Sequence, residues 1–214
     1  MPATVIDITA SLDGFVAGPD ASVEHPLGRG GERLHEWAYD SAAWRARHGE
    51  TGGETGVDDE AIREQITGMG AVVMGRRMFS GGSGPWEDDP MADGWWGDEP
   101  PFGVPVFVVT HHRRAPLEKG GTTFVFVTDG VEAAHAQART AAGERNISVG
   151  GGADVVQQLL AAGLVDKLRL HVAPILLGDG VRLFERLDPG RLRFEPQRVV
   201  HSPRATHVHY LVHR

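Results

Sequence analysis

Cysteine is absent from all 214 residues, which excludes a disulfide framework, a thiolate nucleophile and a cysteine-ligated zinc. Long apolar runs are missing too, since no stretch approaches the roughly 20 residues needed to cross a bilayer. The start MPATVIDITA lacks the basic segment and apolar run of a signal peptide. A cytoplasmic protein with no membrane partner is expected. Positive charge is scarce overall: the formal net charge is −8, whereas a protein that follows a phosphate backbone needs a broad cationic face. Nucleic acid is therefore not an expected partner. Neither a G-x-x-x-x-G-K-S/T phosphate loop nor a G-x-S-x-G nucleophile elbow occurs, so the P-loop nucleotide fold and serine hydrolysis built on that elbow lose their support.

What is present fits one globular domain over residues 1–214, with enough hydrophobic residues (41%) for a core and 29 glycines and 13 prolines for many tight turns. The opening TVIDITASLDGFVAG alternates through Val5, Ile6 and Ile8 and breaks at Asp13-Gly14, a strand entering a loop. In ERLHEWAYDSAAW, Leu34, Trp37, Ala38 and Trp44 fall near one helical face, and after a glycine-rich loop a second helix is expected from about Asp58 to Ile66. The apolar run Ala71–Met74 reads as a buried strand stopping at Gly75 before Arg76 and Arg77, and residues 80–103 as a long loop carrying aromatics. The second half alternates more plainly. VPVFVVT, TTFVFVT, NISVG and KLRLHVAPILL are β-rich, with helices expected over Val131–Ala142 and over ADVVQQLLAAG, from Ala153 to the stop at Gly163. Such alternation predicts an α/β protein with a mainly parallel sheet, and the tail predicts an antiparallel edge hairpin turning around Ser202-Pro203.

The sharpest local signal is Ile147-Ser148-Val149-Gly150-Gly151-Gly152-Ala153-Asp154, a strand that ends in three glycines and opens into a helix. Bare backbone and the free N–H groups of a helix start suit a diphosphate. The spacing is not the Rossmann fingerprint, because the third required glycine falls at Val155. Two further strand ends, Val73-Met74-Gly75-Arg76-Arg77 and Val108-Val109-Thr110-His111-His112, carry cations or a hydroxyl. Strand C-termini of a parallel sheet share one edge, so the three could converge on one elongated phosphorylated ligand. Alone, Arg76 and Arg77 read equally as an exposed surface pair, and His111 and His112 as a solvated turn.

In this order, strand-MGR, strand-T, strand-GGG-helix and DKLRLHVAPILLGDG, with SLDGF at the start, resemble the dihydrofolate reductase fold, and more closely its branch containing the reductase domain of bacterial riboflavin synthesis. The resemblance runs from Val5 to about Phe184. It implies a three-layer αβα sandwich and an NADPH-dependent reductase of a small heterocycle, similar to 5-amino-6-(5-phosphoribosylamino)uracil reductase. By the same resemblance Gly150, Gly151 and Gly152, followed by Ala153 and Asp154, would hold the pyrophosphate. Gly75 and Arg76, with Arg77 beside them, would meet cofactor phosphate; Thr110 and His111 would flank the ribose and its 2′-phosphate; and Thr9 and Val16 would line the nicotinamide. One departure is Met78, where the family carries a threonine.

Asp13, in the SLDG turn, is the first choice for a polar catalytic group, with Glu36 and Asp40 candidates by location; the alternative for Asp13 is a plain Asp-Gly turn. Trp37, Phe79 and Trp86 could stack on a flat substrate or serve as helix core and loop anchor. His207 and His209 alternate onto one strand face, which a half-exposed strand explains without a metal. Reduction of a pterin, a non-catalytic nucleotide-binding protein of the same fold, and an interaction module are the competing readings. A homodimer is compatible with the enzyme.

Overall fold

In the computed structural model, which describes residues 2–22 and 24–214, the β-rich runs become β1 (Thr4–Ser11), β2 (Phe15–Ala17), β3 (Met69–Gly75), β4 (Val106–Val109), β5 (Leu117–Lys119), β6 (Thr122–Val127), β7 (Asn146–Gly151), β8 (Lys167–Ala173), β9 (Val181–Arg182), β10 (Arg193–His201) and β11 (Thr206–His213). The helices are α1 (Glu36–Tyr39), α2 (Ala42–Arg47), α3 (Val57–Ile66), α4 (Arg76–Ser80), α5 (Gly130–Ala142) and α6 (Ala153–Ala161). Nine strands form one sheet in the order β10-β11-β8-β1-β7-β3-β4-β6-β5, and β2 pairs with β9 in a small separate ribbon. The six central strands from β8 to β6 are mutually parallel. The tail forms the expected antiparallel hairpin at one edge, and β5 closes the other edge antiparallel to β6.

Strict alternation along the central strands sorts their side chains between two covered faces. On one face, Ile6, Ala71, Val73, Phe107, Ile147 and Val149 pack against α5 and α6 through Val131, Ala134, Ala138, Val156, Leu159 and Leu160. On the other, Val72, Met74, Val106 and Val108 meet Phe79 and Phe124, while Trp37, Ala43, Ala61 and Ile62 cover the β8 and β11 side. Helices on both faces of a mainly parallel sheet make the three-layer α/β architecture.

The single helix expected across residues 32–44 is instead three short pieces, a 3-10 turn over Gly31–His35, then α1 and α2. Ser41 explains the break: it leaves helical geometry at φ −72° and ψ 145°, and its Oγ accepts from the Trp44 amide, starting a new helix in place of continuing the old one. The expected half-exposed environment of His207 is also corrected. β11 lies inside the sheet, between β8 and β10, and His207 is completely buried beneath Trp37.

Leu159 fills the layer between α6 and the sheet with no exposed surface. Leu159→Ala should cost about 2–5 kcal/mol of folding stability by chemical denaturation, the range for a buried leucine that leaves a cavity.

Candidate active site

Because β1, β7, β3 and β4 run parallel and adjacent, their C-terminal ends line one edge, spaced about 4.8 Å from strand to strand. β7 ends in the glycine run. Gly151 sits at φ +95°, the region that favours glycine, and the Gly151–Gly152 peptide is cis. A Cβ on Gly152 would meet no atom within 4 Å, so open space lies directly over the backbone there. Gly152 is also the N-cap of α6 and offers no side chain to the first-turn amides. These features fit the diphosphate of a dinucleotide: close backbone approach, a helix N-terminus and room above it. Ala153 is buried, whereas the Asp154 carboxylate is turned to Arg186 and Gln158.

The neighbouring strand end divides its two arginines. Arg77 is exposed and has no ion-pair partner among the described residues. Arg76 is buried, with Nη1 2.5 Å from Asp89 Oδ2 in an ion-pair contact outside hydrogen-bond geometry and its guanidinium 3.4 Å above the Trp86 ring. Burial pushes the guanidinium's pKa down, and Asp89 opposes it. Burial would raise the Asp89 carboxyl, but Ser80 Oγ, the Met91 amide and Arg76 hold it below the usual range. Arg76 thus anchors the 80–103 loop through Asp89, while its guanidinium nitrogens make no hydrogen bond among the described residues. Trp86, expected to stack on substrate, is the other half of that anchor, with Nε1 donating to the His112 carbonyl. Phe79 is also a core residue with no exposed surface, packed on Phe124 and Phe126, so substrate stacking is closed to it. At the end of β4, Thr110 Oγ1 accepts from the His112 amide, while His111 and Arg113 are exposed.

At the β1 end, Thr9 is buried and its Oγ1 accepts from Trp37 Nε1 at 3.2 Å. Trp37 is 2% exposed and lies against His171 and His207, so it backs the site from within and cannot stack on a free ligand. Val16 is half-buried against the main core. Asp13 accepts from Ser11 Oγ at 2.5 Å and from the Gly178 and Leu177 amides, clasping the loop after β1 to the loop after β8. The Ser11 hydroxyl and then those amides hold its carboxyl down to about 2. Its carboxylate is thus committed to the turn that joins these two loops. Asp40 lies apart from this edge, in surface ion pairs with Arg45 and Arg204. Arg204 belongs to the β10–β11 turn and also lines a cleft of about 270 Å³ with Ser41, Asp58 and His201. That cleft is several strands from the glycine run.

Sequence reasoning missed Asp89, the partner that immobilises Arg76, and the buried polar row behind Thr9. Asp7 in TVIDITAS was the available signal: it lies on the strand face opposite Ile6 and Ile8, and that face is also buried.

An edge of this kind on a three-layer, mainly parallel sheet marks an α/β protein, and the solved structures similar to it have the dihydrofolate reductase-like fold. The chain belongs to the RibD C-terminal domain family, whose model matches residues 2–208. Among solved structures it is similar to a putative riboflavin biosynthesis protein from Shewanella sp. PV-4, with 21% identity, 99% of each chain covered and a TM-score of 0.63. A pyrimidine reductase-like protein from Corynebacterium diphtheriae shares 15% identity over 100% of this chain and 92% of that one, at a TM-score of 0.56. Dihydrofolate reductase from Enterococcus faecalis, complexed with NADP(H), shares 14% over 99% and 96%, at 0.51. No curated protein sequence matches the chain.

Beside Thr9's neighbour His171 stands His35, whose buried Nδ1 has no hydrogen-bond partner among the described residues and whose pKa burial, aided by His171, pushes down to about 4. The neutral ring is the folded form, so its stabilisation is full above pH 6.5 and is lost as the pH falls toward 4. Between those values wild type should lose on the order of 2–3 kcal/mol more than His35→Phe, compared by urea denaturation.

Proposed function

We propose that this chain is an NADPH-dependent reductase of a small heterocycle of the pyrimidine type met in riboflavin synthesis. Membership of the RibD C-terminal domain family supports an oxidoreductase. The observation that carries the cofactor reading is the open, side-chain-free backbone at Gly151–Gly152 over the uncapped start of α6, on the same edge as the exposed Arg77 and Arg113 that follow β3 and β4. Gly150 to Gly152 and the Ala153 amide hold the diphosphate. Arg77, with Arg113 and His111 on the next strand end, faces the 2′-phosphate; Arg76 acts indirectly, by fixing the loop that borders them.

Thr9 and Val16 border the nicotinamide end, where the Asp13 clasp holds the loops carrying Leu12 and Leu176. Both leucines are largely exposed, at 63% and 66%, and present an apolar wall to a flat ring. Bound nicotinamide supplies the hydride, and the protein's part is orientation. Thr9 Oγ1 already accepts from Trp37, so its own O–H is left to donate toward the cofactor. Asp13, held ionised by the Ser11 hydroxyl and the Gly178 and Leu177 amides, serves in the loop clasp.

Gly152→Asp tests this reading with little risk to the fold, since aspartate is a good helix N-cap and its Cβ meets nothing. Its carboxylate would occupy and repel the diphosphate position. Calorimetry should show at least a tenfold weaker affinity for NADPH at an unchanged melting temperature, and Arg77→Glu should erase preference for NADPH over NADH. Wild-type affinity in both variants would overturn the assignment.

A further inference from the structure

We propose that His171 and His207 form a buried pair carrying three ring protons between them, so that the pair holds one positive charge, and that this charged pair is the backing that positions Trp37 and through it the Thr9 hydroxyl. The second half rests on the cofactor reading above; the first does not.

Strand register sets the arrangement. Thr9 of β1 lies opposite His171 of β8, which lies opposite His207 of β11, so the three side chains stand in one row on one face of the sheet. The two rings are 1% and 0% exposed. Their Nδ1 atoms face each other at 2.7 Å, while His171 Nε2 is 2.9 Å from Asp7 Oδ1 and His207 Nε2 is 2.9 Å from Asp58 Oδ1. Every ring nitrogen is therefore engaged, and turning either ring over would break two contacts at once.

Counting protons then decides the charge. A carboxylate only accepts, so each Nε2 must carry a hydrogen, and of two facing Nδ1 atoms one must donate and the other accept. Three protons on four nitrogens make one ring cationic. Two neutral rings would set either two lone pairs against each other or a lone pair against a carboxylate, each an unmade hydrogen bond in a site closed to water.

Two carboxylates and two guanidinium groups surround the pair. Asp7 is buried; burial raises its carboxyl, but His171, Gln65 and Arg169 together hold it below the ordinary value. Arg169 is 3.6 Å from Asp7 Oδ2 and spends an N–H on the Glu64 carbonyl, so it compensates that charge only in part. Asp58, at the start of α3, has Arg204 3.5 Å from its second oxygen, a guanidinium it shares with Asp40 and Glu54. His207 is pushed down by burial, with Asp58 opposing and His171 adding to the push. From the 3-10 turn faces His35, held neutral, and from β11 His209, pushed down by burial against the pull of Glu64.

Trp37 links the pair to the cofactor edge. Its ring centroid is 4.7 Å from that of His171 and 5.0 Å from that of His207, and its Nε1–H is donated to Thr9. An imidazolium against the indole face is a cation–π contact in a desolvated place.

The test uses the full chain labelled with 15N. At pH 7.5, long-range proton–nitrogen spectra of the histidine rings should show both Nε2 atoms protonated and one of the two facing Nδ1 atoms protonated, three of the four ring nitrogens in all. One protonated nitrogen on each ring would overturn the charge assignment, and this readout needs neither a variant nor a ligand. For positioning, Trp37→Phe keeps a ring against the pair but removes the donor to Thr9. It should weaken NADPH binding about tenfold, the worth of one hydrogen bond, with the histidine spectrum unchanged. Unaltered NADPH affinity in that variant would overturn the positioning role. If wild type itself binds no NADPH, the cofactor reading fails and the positioning role with it, while the nitrogen spectra still decide the buried charge.

Discussion

Parallel pairing of β1, β7, β3 and β4 is the constraint on which the rest of the molecule depends. Parallel strands need crossover connections, and those connections supply the helices that bury both faces of the sheet. The same geometry delivers four strand ends to one edge, each followed by a turn or a helix start in place of a hairpin. The glycine run after β7, the paired arginines after β3 and the threonine-histidine turn after β4 are distant in sequence and adjacent in space for this reason alone.

Around that edge, buried or saturated polar contacts hold irregular backbone still. Arg76 and Asp89 tie down a loop of more than twenty residues that has almost no regular structure of its own, and Trp86 covers their contact. Asp13 does the same for the two loops at the other end, through one hydroxyl and two amides. Isolated surface ion pairs contribute little to stability, but a buried pair broken on one side leaves an uncompensated charge. The loops are thus held by contacts that are costly to open, which suits a preformed ligand edge.

The sheet, its parallel core and the terminal hairpin were legible in the sequence because alternation and apolar runs report burial directly. The glycine run was legible because only unusual backbone tolerates it, and its open surroundings agree with that reading. Side-chain partnerships were not legible. Nothing local distinguishes Arg76 from Arg77; Asp89, thirteen residues on, decides which of the two is free. Trp37 and Phe79 have the residue type of a stacking platform and the location of a core, and only the packing of α1 and α4 onto the sheet separates those cases. His207 looked half-exposed because an edge hairpin was expected to have an open face, whereas α3 and Trp37 cover it. The pieces β2, β9 and β5, two or three residues each, are too short to imprint any period.

The most direct test of the central claim is to map NADPH onto the chain by amide chemical-shift perturbation. The account predicts shifts that concentrate at Gly150–Ala153, Arg77 and Thr110–Arg113, with a weaker set at Thr9 and Leu12, tracing one continuous line along the sheet edge. Shifts centred instead on the cleft beside Arg204, or no shifts at saturating nucleotide, would contradict it.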